Sequence, residues 1–275
     1  MTRYDQMIAA VRVPPREVPL GGGFRAAYWG GPRTFDAESQ RAIYAAIIEM
    51  ASAVFGDDMT PYWRRRAEEG YLDTISKLYI VGDPAGELVG WTGYHRMRIS
   101  GETCIYTDAT GVLARVRRYG LMRRILTRCV LEELARNRLR PVYWTMRTES
   151  PVVMHSFRTT FGEANVFPRI DADTPLKVRE LGRATAAWLK QEEKFCPASM
   201  RLEDAFDGPC PWRFGADGQP LAGSHPESSD EALDRFVAAQ LRPEDAFILI
   251  ARHSIANVLR LTSQALRSRL RARLG

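Results

Sequence analysis

The residues best placed by type and spacing to do chemistry lie between Val112 and Arg140, where nine arginines stand against two acids, Glu132 and Glu133. At the head of this stretch, Ala114-Arg115-Val116-Arg117-Arg118-Tyr119-Gly120-Leu121-Met122-Arg123-Arg124 joins the end of a strand, Val112-Leu113, to an amphipathic helix. A helix N-terminus leaves its first backbone N–H groups without intrahelical partners, beside the positive end of the helix dipole. A glycine lets the backbone come close, and arginine forks match phosphate oxygens, so the segment reads as a receptor for a pyrophosphate. The same residues also suit an ordinary strand-to-helix turn with solvated arginines. A second basic run, Arg252 to Gly275, has six arginines and no acid. On it Ile255, Leu259, Leu266 and Leu270 recur at helical spacing, the pattern of a basic surface helix or a solvated terminal one.

Other chemistries find little support. The chain has no G-x-S-x-G elbow, no G-x-x-x-x-G-K-[ST] phosphate loop, no G-x-G-x-x-G and no H-E-x-x-H. Its four histidines, His95, His155, His225 and His253, are not paired at ligand spacing, and Cys104, Cys129, Cys196 and Cys210 form no C-x-x-C pair. Neither a metal site nor a disulfide framework is expected. The 275 residues are 45% apolar and 26% charged, ordinary values for a folded chain, with a net charge of +6. The first nineteen residues lack an apolar signal-peptide core, and no run is long enough for a membrane span. A cytoplasmic, reduced protein without a membrane partner is expected.

The elements that must position the basic turn can be read from period and punctuation. Asp36 is set to cap a helix carrying Ile43, Ile47, Met50 and Val54, and a shorter helix fits Pro61 to Glu69. Leu78–Val81, Leu88–Met97 and Thr103–Leu113 read as three strands of an antiparallel meander, with Asp83-Pro84-Ala85-Gly86 as the first turn. A long helix is expected from about Arg117 to Asn137, then a strand at Val142–Met146 and a helix from Pro151 to Phe161. Later come helices near Leu181–Glu193 and Glu231–Leu241 and a strand at Ala246–Ile250. Residues 1–23 read as a loose arm or a first short strand. The fold class is therefore α/β, more closely an α+β mixed sheet, and not a doubly wound one. It divides into an arm (1–34), a core (35–168) and a C-terminal extension (169–275).

This order of elements, with the basic turn between strand and helix, resembles the GNAT superfamily of coenzyme A-dependent N-acyltransferases over roughly Phe35 to Phe167. The family signature is [QR]-x-x-G-x-[GA]; here Arg117 and Gly120 match it, while Met122 stands where Gly or Ala is usual. The resemblance implies a splayed, largely antiparallel sheet flanked by helices, opening beside the meander's last strand. It implies an acyl-CoA donor held by Val112, Leu113, Arg117, Arg118, Gly120, Leu121, Met122 and Arg123, and no metal. Pantetheine would pair with the backbone near Thr110–Val112.

Acyl transfer to an amine needs a base for the ammonium proton and an acid for the leaving thiolate. Within the resemblance, Asp108 is the candidate base, with Glu102 and Glu149 behind it. The usual acid, a Tyr in the helix after the next strand, is missing from Met154-His155-Ser156-Phe157, and His155 or Ser156 would substitute. Tyr94, Tyr106 and Trp144 would line an acceptor cleft or simply pack. The acceptor is expected to be a small-molecule amine. The arginine excess also fits a larger anionic donor, an aminoacyl-tRNA or an acyl carrier protein, and a non-catalytic ligand-binding relative is the third reading.

Overall fold

The structure is a computed structural model that describes residues 1–30, 35–205, 228–242 and 244–259. Its architecture is mixed α/β, a largely antiparallel sheet flanked by helices. The chain divides into two compact units, residues 1–96 with 106–128, and residues 97–105 with 129–275.

The first unit runs through α1 (Arg3–Ala9), β1 (Arg16–Gly21), β2 (Phe24–Gly30), α2 (Ala37–Phe55), α3 (Thr60–Glu68), α4 (Tyr71–Thr74) and β3 (Lys77–Gly82). It continues into β4 (Leu88–Ile99) and β5 (Glu102–Val112), except for the hairpin tip, and ends within α5 (Leu121–Arg136). Its strands lie in the order β1-β2-β3-β4-β5. Of the two readings of the N-terminus, the short strand is the one found, and a helix precedes it. The Thr2 hydroxyl caps α1 by accepting from the Asp5 N–H at 3.2 Å, and Gly21, Gly22 and Gly23 turn the β1–β2 hairpin with φ of 78°, 61° and 78°.

Asp36 caps α2 through the Ser39 N–H at 2.8 Å, and Ile43, Ile47 and Met50 are buried at the expected spacing. Strand β3, paired with β2 on one side and β4 on the other, is buried along its whole length. Such a strand has both faces covered, which is why its apolar run Leu78–Val81 does not alternate.

The expected long helix from Arg117 is corrected. Gly120 takes φ +65°, outside the right-handed helical region, so residues 114–119 close as a separate 3-10 turn and α5 starts at Leu121.

The second unit contains β6 (Val142–Thr148), α6 (Pro151–Phe161), β7 (Val166–Phe167), α7 (Leu176–Trp188), β8 (Phe195–Cys196), β9 (Arg201–Leu202), α8 (Glu231–Gln240) and β10 (Ala246–His253). Its strand order is β6-β10-β9-β8, with β7 also on β10. Strands β6 and β10 pair antiparallel from Phe247↔Thr148 to His253↔Val142. Trp144, Met154, Phe161 and Phe247–Ile250 form the core of this unit. Helix α7 starts five residues before the expected position because Pro175 stands at its entry, and Lys190, at φ 60°, follows its end. The basic tail from Arg260 onward, including Leu266 and Leu270, lies outside the described residues. No helix among the described residues is long and apolar enough to cross a membrane.

Candidate active site

Two features of the first unit lie on one continuous piece of chain, the basic turn after β5 and a carboxylate on β5 itself. The turn is fixed from both sides. The Leu113 N–H donates to the Val89 carbonyl of β4 at 3.0 Å, and the Val116 N–H donates back to the Leu113 carbonyl at 3.0 Å. Arg115 donates to Asp83 at 2.6 Å, and Arg124 donates to the Leu20 carbonyl of the β1–β2 hairpin. Burial pushes the Asp83 carboxyl up, but the Arg115 hydrogen bond and backbone donors outweigh it, and its pKa is lowered on balance. Two of the turn's arginines therefore hold structure. Arg117, Arg118 and Arg123 are exposed, with the Arg117 Nε–H donating to the Val112 carbonyl at 3.3 Å. Leu121 is buried and anchors the first turn of α5.

Gly120 is the hinge of the turn. A Cβ built there would have nothing nearer than the Arg123 guanidinium at 3.7 Å, so glycine answers a conformational need and leaves an open approach over the backbone. Met122 directs its bulk inward. Its methyl lies 3.5 Å from where a Cβ on Gly90 of β4 would be. The Gly111 carbonyl lies nearer that point, at 2.8 Å, so Gly90 lets the β5 backbone come close and the Met122 methyl packs beside it.

Asp108, half-buried on β5, is the centre of a charged cluster. Its Oδ2 accepts from the Arg66 guanidinium of α3 and lies 3.2 Å from His95 Nε2 on β4. The other His95 nitrogen, Nδ1, faces the Thr74 carbonyl at 3.2 Å. Both neighbours offer an acceptor oxygen to the ring. Arg66 also donates to Glu69 at 3.1 Å, and its guanidinium carbon sits 5.0 Å from the centre of the Tyr71 ring. Burial lowers the proton affinity of Arg66, but Asp108, Tyr62, Tyr71 and Glu69 together raise it, and the guanidinium stays charged. Tyr71 is fully enclosed, edge-on to Trp63 at 5.4 Å, with its hydroxyl unpartnered. Burial, then Asp108, pushes its pKa well above the usual phenol value. Two residues further along β5, toward the basic turn, the Thr110 hydroxyl hydrogen-bonds with the Thr92 hydroxyl of β4 at 2.6 Å.

The other residues singled out by sequence fall elsewhere. Tyr94 and Tyr106 are buried in the first unit, Tyr94 edge-on to Tyr79 at 6.1 Å and Tyr106 beside His95 at 6.4 Å. In the second unit, Glu149 is buried just past β6, and Glu102 is in an ion pair with Lys177. There, too, Trp144 belongs to the apolar core, and the His155 ring meets the Ser229 hydroxyl at 3.2 Å on an exposed face. Among the described residues, Asp204, Glu244 and Asp245 bring three carboxylates within 4.8 Å of one another. Arg242 reaches all three, at 3.7, 3.6 and 2.9 Å, so a guanidinium supplies the positive charge there. Sequence reading missed His95, Arg66 and Tyr71 as partners of Asp108. The signal for His95 is the two-residue Ser100-Gly101 turn, both at positive φ (49° and 80°), which sets the β4–β5 register and brings His95 level with the Tyr106–Asp108 segment.

No family model matches the chain, and no curated protein matches it. Solved structures do. The chain is similar to N-acetyltransferases. One is a GNAT family N-acetyltransferase from Escherichia coli in complex with CoA, at 16% identity and a TM-score of 0.30 over 41% of this chain and 60% of that one. Another is a probable N-acyltransferase from Enterococcus faecalis, at 13% identity and a TM-score of 0.36, covering 52% of this chain and 33% of that one. A third is an aminoglycoside acetyltransferase from an uncultured soil metagenomic sample, at 17% identity and a TM-score of 0.36, covering 56% and 98%. The chain thus spans 60% and 33% of the length of the first two.

Proposed function

We propose that the chain is an N-acyltransferase that moves an acyl group from a thioester donor such as acyl-coenzyme A to an amine of a small molecule. The observation that carries this reading is the placement of a half-buried, hydrogen-bonded carboxylate, Asp108, on the strand that runs directly into the Gly120 turn. From Asp108 to Val112 the strand advances roughly 13 Å. A donor with its phosphates at Arg117, Arg118, Arg123 and the start of α5, and its arm running back along β5 near Thr110–Val112, brings its thioester toward the level of Asp108.

In this reading the acceptor arrives as an ammonium. Asp108 takes one N–H proton, which leaves a neutral amine with a free electron pair. That pair forms the C–N bond at the thioester carbonyl, the C–S bond breaks, and the second proton that the nitrogen sheds on becoming an amide ends on the departing thiolate. His95 is a positioning residue, because it fixes the Asp108 carboxylate from the neighbouring strand while the Thr74 carbonyl holds its other nitrogen. The turn supplies electrostatic attraction for the donor, and Gly120 leaves the approach open. The test is acetyl-CoA-dependent acylation of a panel of primary amines by the full chain and by Asp108→Asn. Thioester consumption that depends on amine and falls in the variant supports the reading; no consumption with any acyl thioester and any amine counts against it.

A further inference from the structure

We infer that Arg66 is a built-in occupant of the acceptor's cation subsite, and that a cationic amine reaches Asp108 by displacing it. The inference rests on the proposed acyl transfer for its purpose, and on the geometry of the Arg66 side chain for its content. One guanidinium is met by Asp108 on one side, by Glu69 on another at 3.1 Å, and by the face of Tyr71 at 5.0 Å. Two carboxylates and an aromatic face are the groups that bind a ligand ammonium or guanidinium. Here the protein's own cation holds the carboxylate oxygen, Oδ2, to which an acceptor nitrogen would deliver its proton.

The exchange is feasible because it conserves charge. Removing Arg66 from Asp108 with nothing in its place would leave a carboxylate whose side chain is only 13% exposed with the His95 ring but without its guanidinium, a costly loss. An incoming ammonium replaces the guanidinium with an equal charge, so Asp108 stays compensated throughout. Arg66 meanwhile keeps a perch. Glu69 caps the C-terminal end of α3 three residues on, its side chain 51% exposed, and holds the guanidinium near solvent when it leaves Asp108. A neutral or anionic acceptor cannot make this exchange, so the device selects protonated amines. Once Asp108 has taken the proton it no longer attracts a cation, and after the product leaves and the proton is released Arg66 closes over it again.

Competition of this kind has a direct signature. If Arg66 covers the subsite most of the time, the apparent affinity for an external cation is reduced by the fraction of time the subsite is open. The probe is n-butylammonium, titrated into the full chain without any donor and followed at the indole N–H of Trp63, which packs edge-on to Tyr71. Arg66→Gln should bind the probe about tenfold more tightly than the parent, for a subsite open about a tenth of the time. Adding Asp108→Asn to that variant should abolish the gain. Equal or weaker binding by a folded Arg66→Gln protein would overturn the inference and leave Arg66 a fixed partner of Asp108. If that variant does not fold, Arg66→Lys is read instead, because lysine keeps the charge but loses the two-pronged grip. A smaller gain in affinity is then expected, and no gain overturns the inference. Tighter probe binding without any acyl transfer would sink the proposed function alone. Acyl transfer that needs Asp108, with unchanged probe affinities, would sink this inference alone.

Discussion

Two buried histidines, one in each unit, have opposite surroundings. His95 on β4 has an acceptor at each ring nitrogen and stands in a cluster of charge with Asp108 and Arg66. His253 at the end of β10 stands edge-on to the Phe161 ring at 5.0 Å, and its Nδ1 has no hydrogen-bond partner. Burial alone pushes the His253 pKa down to about 4. A buried ring among apolar side chains stays neutral, whereas the His95 ring has an acceptor oxygen facing each nitrogen. Burying charge is costly unless every charge is paired. The concentration of paired charge at Asp108 thus marks a place whose composition packing does not require, while the Trp144–Phe161–His253 region is a core in the ordinary sense.

That contrast can be broken or sharpened by substitution. The largest effect is expected at Asp108, where Asn should lower turnover by about 10²–10⁴-fold while thermal unfolding shows a folded protein. A near-native rate would place proton transfer elsewhere. On the apolar side, Trp144→Ala should cost about 3–5 kcal/mol of stability by denaturant unfolding, because it empties a fully buried site. A loss below about 1 kcal/mol would mean that the second unit's core is looser than its burial implies.

The buried His253 ring has a pH signature of its own. His253 has a folded pKa of about 4 against an ordinary 6.5, so above 6.5 it has no effect on stability. As the pH falls from 6.5 to 4 the unfolded chain binds a proton that the folded chain refuses. Stability should drop by up to about 3 kcal/mol over that window and level off below it. His253→Phe should flatten this part of the profile and leave the part below pH 4 to carboxylates such as Asp83 and Asp245, whose pKa values lie below the ordinary range. An unchanged slope in the variant would show that other groups produce it.

Smaller changes are expected at the turn and on α6. Gly120→Ala places a side chain at φ +65°, which should cost about 1–2 kcal/mol of stability. By blocking the approach it should also weaken donor binding by about 1–3 kcal/mol. The smallest effect is expected for His155→Ala, since that ring meets Ser229 on an exposed face of the second unit. A large drop in turnover there would instead assign His155 the thiolate's proton.

How much of this was legible follows from how far apart the cooperating residues lie. Asp108 and the Gly120 turn are contiguous with a strand whose pattern is plain, and Asp36, Pro61, Ser150-Pro151 and Asp230 punctuate helices found within a few residues of where they were expected. Arg66 lies 42 residues from Asp108 on a helix of charged residues, where no spacing rule singles it out from Arg64 and Arg65. The β1–β2 hairpin was half-hidden because three consecutive glycines read as slack chain, though their positive φ values make them a turn. The interruption before α5 was missed because the apolar spacing from Leu121 onward fits a helix, and only the backbone of Gly120 shows where it must begin.

The measurement that bears most directly on the acyltransferase reading is calorimetric titration of coenzyme A into the full chain, its Gly120→Ala variant and a variant with Arg117, Arg118 and Arg123 all changed to Gln. Saturable binding by the parent is predicted, weakened in the first variant and weakened further, with a flatter salt dependence, in the second. No saturable binding by the parent, or equal affinity in all three proteins, would contradict a donor site at the Gly120 turn.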